Sequence, residues 1–140
     1  MVSACLAGIP CRYDGRSNLR PEIAALVNAG EAVPVCPEVL GGLPTPRTPS
    51  EQKDGRVVSA KGEDVTQAFA SGAESALYIA EEYGCSAAVL KARSPSCGCG
   101  RIYDGTFTHT LVDGDGLFAA LLRKKGFQLF TEETFSPDKA

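Results

Sequence analysis

The residues able to do chemistry fall in three short stretches. The richest, Lys91-Ala92-Arg93-Ser94-Pro95-Ser96-Cys97-Gly98-Cys99-Gly100, brings two cations, two hydroxyls and two thiols into ten residues. The second runs from Cys5 through Gly8 and Pro10 to Cys11-Arg12, and the third is Cys36-Pro37-Glu38. Thiolates hold iron–sulfur clusters and also act as nucleophiles. Three of them, from Cys5, Cys36 and Cys97, would leave one iron of a four-iron cluster open as a Lewis acid. The plain alternative is core packing, since free cysteine behaves as a small hydrophobe. Cys11 shares a loop with Cys5 and reads as ligand, spare thiolate or structural residue. Cys85 reads as packing, and Cys99 as a bystander of Cys97.

Glu38 stands next to Cys36 through Pro37, where a carboxylate can serve as general acid or base. Ser94, three residues before Cys97, can donate to a substrate or relay a proton. In each case a solvated carboxylate or a turn-stabilising hydroxyl is the simpler reading. Arg12 suggests a phosphate-cradling cysteine loop, but six residues separate it from Cys5, one too many. Asp14 and Asp104 both sit in Tyr-Asp-Gly, a turn signature. The single histidine, His109, reads as a surface loop residue and leaves no His-rich zinc site or His-based triad.

These stretches need elements to hold them. Each of the three follows a short apolar run: Val2–Cys5, Ala32–Cys36 and Ala87–Lys91 are expected as strands. A helix begins near Pro21, capped by Ser17 or Asn18, carries Ile23, Leu26 and Val27 on one face, and ends at Gly30. The longest helix covers about 66–83, with Phe69, Ala73, Ala76, Leu77 and Ala80 at three- and four-residue steps. Residues 37–55 read as irregular, with a turn at Lys53-Asp54-Gly55-Arg56 into a strand at Val57-Val58. Ile102 to Phe107 reads as a turn or short hairpin. A helix follows Gly114-Asp115-Gly116, then a last strand at 127–130 and a loose tail at 136–140. The pattern predicts one α/β domain over 1–140: a small three-layer, Rossmann-like fold with a mainly parallel sheet. Its site lies at the strand carboxyl ends.

Composition narrows the function. The chain is 44% hydrophobic and 22% charged, with a net charge of −3, so no basic field argues for nucleic acid. No stretch is apolar enough to span a membrane, and the first ten residues lack the basic leader of a secretory signal. A cytoplasmic location is expected, where six cysteines point to metal or catalysis before disulfides.

Several motifs together resemble the DUF523 family: Val2-Ser3-Ala4-Cys5-Leu6, Cys11-Arg12-Tyr13-Asp14-Gly15, Cys36-Pro37-Glu38 with Gly41-Gly42-Leu43-Pro44, Lys91 to Gly98, and Ile102 to Phe107. That family includes the thiouracil desulfidases, which carry a [4Fe-4S] cluster on three cysteines and remove sulfur from thiolated uracil without net redox change. The resemblance implies Cys5, Cys36 and Cys97 as cluster ligands, with Cys11 as the alternative to Cys5. It leaves one iron without a protein ligand and implies Glu38 and Ser94 as catalytic groups. The implied reaction is hydrolysis of a thiocarbonyl C–S bond in a small thiolated nucleobase, giving uracil and sulfide. Some family members carry a second domain and act on thiouridine in RNA, so a tRNA substrate is possible but less favoured. Two rivals stay open: a thiol oxidoreductase using Cys5 and Cys11, and a non-catalytic protein with a structural metal.

Overall fold

The computed structural model describes residues 1–136. Four parallel strands form the central sheet: β1 (Val2–Ser3), β2 (Pro34–Val35), β5 (Ala87–Leu90) and β8 (Gln128–Thr131), in the order β2-β1-β5-β8. Side chains alternate across such a sheet. Val2 and Val89 face Leu6 and Ile23, the latter on α1 (Pro21–Asn28). Val35, Ala88 and Leu90 face the opposite side. There they meet Ala73, Ala76 and Ala80 of α3 (Thr66–Glu82) and Phe118 and Leu122 of α4 (Leu117–Lys124). The result is the expected three layers. Leu90, Phe118 and Leu122 are fully buried, and each such side chain contributes about 1.5–3 kcal/mol.

The stripe on α3 is made mostly of small residues, and this lets a neighbour come close. That neighbour is α2 (Pro37–Leu40), a four-residue helix started by Pro37. A Cβ added at Gly72 would lie 1.8 Å from the Pro37 carbonyl oxygen, and one at Gly41 would lie 2.0 Å from that of Ala68. No side chain is accommodated at either position, so the α2–α3 approach fixes where Glu38 stands.

Two antiparallel hairpins sit outside the sheet. β3 (Ser50–Lys53) pairs with β4 (Arg56–Ser59), and β6 (Arg101–Tyr103) with β7 (Leu111–Asp113). Several expectations need correction. β1 stops at Ser3, and Cys5 lies in a 3₁₀ turn, Ala4–Ala7, ended by Gly8 in the left-handed region. Neither Ser17 nor Asn18 caps α1; Arg20 holds that position without a side-chain bond, and Pro21 alone sets the start. Residues 37–55 contain α2 and β3, because Pro37 opens one short helical turn and the Asp54-Gly55 turn closes a hairpin. The 102–107 stretch supplies only one strand of its hairpin. Of the tail expected at 136–140, residues 137–140 lie outside the described residues.

Candidate active site

The three cysteine stretches meet at the carboxyl edge of the sheet, around a cavity of about 690 Å³. Cys5, Cys11, Cys36 and Cys97 all line it, with Glu38, Arg47, Ser94 and Ser96. Cys85 lies apart and packs against the core, as expected. Cys99 is not in the cavity wall; its sulfur lies 3.2 Å from Arg123 Nη2.

Each stretch is held by its own local structure. Cys36 precedes Pro37 at the start of α2. The 94–98 loop closes on itself through Gly98 N–H to the Ser94 carbonyl, 2.8 Å, and it sits on α4. The first amides of a helix have no partner within it; here Leu117 and Phe118 donate to the Pro95 and Ser96 carbonyls at 3.0 and 2.9 Å. At the end of β5, Glu132 accepts from Ala92 N–H at 2.7 Å and pairs with Lys91 at 2.9 Å. Burial works against that carboxylate, yet Lys91 and the Ala92 amide hold it below its ordinary range.

The thiols differ in charge state. Cys36 is drawn down to about 6, chiefly by a hydrogen bond from the Cys11 thiol, with help from the Val39 amide and Arg47. Cys11 is pushed up by the same bond and by burial. Burial pushes Cys97 up to about 12, against opposing hydrogen bonds from Ser3 and Ser96. Burial also raises Cys5, opposed by the side chain of Asn18. The charge of Cys36 raises Cys5 further, and that of Cys5 raises Cys97.

This donor set suits an iron–sulfur cluster by type. It is all soft sulfur, and a bound metal would supply the positive charge that half-buried Cys5 and buried Cys97 need in order to ionise. Among the described residues no group of three or more Cys, His, Asp or Glu side chains is gathered as a metal-ion site. The thiols ring a cavity instead.

Beside the thiols lies a polar chain that the sequence only half revealed. The Arg47 Nε and Nη2 groups donate to Glu38 Oε2 at 2.9 and 2.5 Å. Both side chains are mostly covered, at 8% and 14% exposure. The other oxygen, Oε1, accepts from Ser96 Oγ at 3.3 Å. Ser94 Oγ accepts from the amides of Ser96 and Cys97 at 3.1 and 3.0 Å, which uses its lone pairs. Its proton is then left to donate to Ser96 Oγ, 3.0 Å away. The direction is therefore Ser94 to Ser96, whose single proton faces both Glu38 Oε1 at 3.3 Å and, more distantly, Cys97 Sγ at 3.7 Å. Ser96 was not singled out from the sequence, though it carried a signal as a second hydroxyl flanking Pro95; Arg47 stood out only as one of several local cations able to receive an anion, and nothing paired it with Glu38.

Fold and site together define a class: an α/β protein that gathers thiols and a hydrogen-bonded Arg47–Glu38–Ser96–Ser94 chain at the carboxyl edge of a parallel sheet. The comparisons make the class specific. The model of the 2-thiouracil desulfurase family matches residues 1–134, and the chain belongs to that family. It is 44% identical over 142 residues to the uncharacterized protein YbbK of Bacillus subtilis (strain 168), covering 94% of both chains. A solved [4Fe-4S]-dependent thiouracil desulfidase, TudS (DUF523Vcz), superposes with a TM-score of 0.89 at 49% identity, over 94% of this chain and 89% of that one. Among the described residues no helix is long and apolar enough to cross a membrane.

Proposed function

We propose that this protein is a [4Fe-4S]-dependent desulfidase that converts thiouracil, or a related thiolated nucleobase, to uracil and sulfide without net redox change. The observation that carries the reading is the convergence of Cys5, Cys36 and Cys97 on one cavity with the Arg47–Glu38–Ser96–Ser94 chain. These three thiolates would hold the cluster, and an iron without a protein ligand supplies a Lewis acid for the thiocarbonyl sulfur.

The chain's own groups supply the proton chemistry. Glu38 takes a proton from a water that attacks the C–S carbon. Arg47 fixes one carboxylate oxygen and thereby aims the other. As the carbonyl forms and the C–S bond breaks, the departing sulfur needs protons, which protonated Glu38 returns, while Ser94 and Ser96 hold its Oε1 in place. Oxygen enters from water and sulfur leaves as sulfide, so no electron donor is needed. A cavity of about 690 Å³ falls within the range of small-molecule sites, which supports a free base over a folded RNA.

The oxidoreductase alternative is less well supported. It pairs Cys5 with Cys11, whereas the thiol that reaches the Cys11 residue is that of Cys36, 3.9 Å from the Cys11 carbonyl oxygen. The test is iron and acid-labile sulfide on protein reconstituted without oxygen. About four of each per chain are expected. They should be lost in Cys97→Ala and retained in Glu38→Ala, which should lose turnover. A fully loaded Cys97→Ala protein would overturn the ligand assignment, and an active Glu38→Ala enzyme the base assignment.

A further inference from the structure

The loop joining β6 to β7 forms the side of the cavity contributed by neither the cysteines nor Glu38. Its sequence alternates: Tyr103, Gly105, Phe107 and His109 against Asp104, Thr106, Thr108 and Thr110. The structure sorts the two sets. Thr106, Thr108 and Thr110 form a ladder of hydroxyls, 2.6 and 2.8 Å apart, that starts from Asp104 and is exposed. Tyr103, Phe107 and His109 line the cavity. The rings of Tyr103 and His109 meet edge to face at 5.6 Å.

This placement is held against local preference. Phe107 and His109 have φ of 59° and 58°, the left-handed region that side chains other than glycine seldom adopt. The conformation is imposed from outside the loop. Glu51 on β3 is 8% exposed, and its Oε1 accepts from the amides of Gly105 and Phe107 at 3.0 and 3.1 Å. Gly105 lies so close to β3 that an added Cβ would be 2.7 Å from the Gln52 carbonyl oxygen. A buried carboxylate is thus committed to the backbone of one strained loop whose rings line the cavity.

Resting on the desulfidase reading, we propose that the 103–109 loop is the base-recognition element of the site. Tyr103, Phe107 and His109 form an aromatic wall on which the thiopyrimidine ring stacks, and Glu51 is the positioning residue for that wall. A planar pyrimidine has a π-face whatever its substituents, so the wall selects aromatic thiocarbonyls over open-chain ones.

The experiment measures KM and kcat of the reconstituted enzyme for 2-thiouracil and for thiourea, a thiocarbonyl without an aromatic ring. Equilibrium binding of uracil is measured alongside. Phe107→Ala and Phe107→Leu should raise the 2-thiouracil KM and weaken uracil binding about 5- to 150-fold, the range seen for one base–aromatic stack. Their kcat should change little, and thiourea kinetics should not move. Phe107→Leu keeps apolar bulk and so controls for folding. Glu51→Ala should behave like Phe107→Ala, and Glu51→Gln, which keeps an acceptor oxygen, should restore most of the loss. Unchanged 2-thiouracil KM in both Phe107 variants, or equal losses for both substrates, would overturn the proposal while leaving the desulfidase reading intact. A wild-type enzyme that neither binds uracil nor acts on 2-thiouracil would overturn both.

Discussion

Arg47 grips Glu38 through a single carboxylate oxygen. Its Nε and Nη2 groups reach Oε2 at 2.9 and 2.5 Å, and Oε1 is left to Ser96. The same Nη2 donates to the Cys11 carbonyl at 2.8 Å. One guanidinium thus ties the carboxylate to the loop that carries two of the thiols, and it keeps one oxygen of Glu38 available for proton transfer.

Removing that grip should cost both turnover and stability. Arg47→Ala leaves a mostly buried carboxylate without its partner, which should destabilise the fold by about 3 kcal/mol. The rate should fall about 100-fold, the scale of a misplaced general base, with iron content unchanged. Arg47→Lys should be nearly as slow, because an ammonium cannot reproduce the fork. Adding Glu38→Gln to Arg47→Ala should restore stability but not activity. Urea unfolding and steady-state kinetics separate the two effects.

The two serines should be distinguishable. Ser96→Ala interrupts the hydroxyl chain while leaving both amides bonded to Ser94, so kcat should drop about tenfold and stability should hold. Ser94→Ala removes the acceptor for two backbone amides and should lower both, with a stability loss of about 1–2 kcal/mol. Equal stability losses in the two variants would contradict the donor order Ser94 to Ser96.

The thiols predict the pH dependence of the cluster-free, reduced protein. Cys36 sits at about 6, below its ordinary 9.0. Between those values the folded chain has released a proton that the unfolded chain keeps, so stability rises with pH. Cys97 is pushed up to about 12 from 9.0. Above 9 the unfolded chain gives up a proton that the folded chain retains, so stability falls, and raised Cys5 and Cys11 act in the same sense. A maximum near pH 9 is expected in urea titrations. Cys97→Ala should flatten the alkaline side.

Gly72 offers a test of how α2 is placed. Gly72→Ala puts a methyl group into the Pro37 carbonyl and must push α2 outward, taking Glu38 and Cys36 with it. Several kcal/mol of stability should be lost, and the residual folded protein should bind iron poorly. An exposed control on α3, Ser71→Ala, should be silent.

The sequence showed the parts of this molecule that depend on local pattern. The α3 stripe and the apolar strand runs are statements about near neighbours, and they place the thiols at one edge. The extent of the 3₁₀ turn at Cys5 was hidden, because Ala4-Cys5-Leu6 is as apolar as the strand before it. The pairing of Arg47 was hidden for another reason. Its partner is nine residues away across a Pro-rich loop, and nothing in that loop's composition says which way it folds back. The aromatic side of the cavity was not read from the sequence, where 102–107 gave a turn or short hairpin and His109 a surface loop residue, because its placement depends on Glu51, more than fifty residues away.

The most direct test of the central claim is sulfide and uracil release from 2-thiouracil by protein loaded with its cluster and assayed without oxygen or added reductant. The account predicts equal amounts of uracil and sulfide over many turnovers, lost in Glu38→Ala. A fully loaded protein that leaves 2-thiouracil and 4-thiouracil unchanged, or needs an electron donor to act, would contradict it.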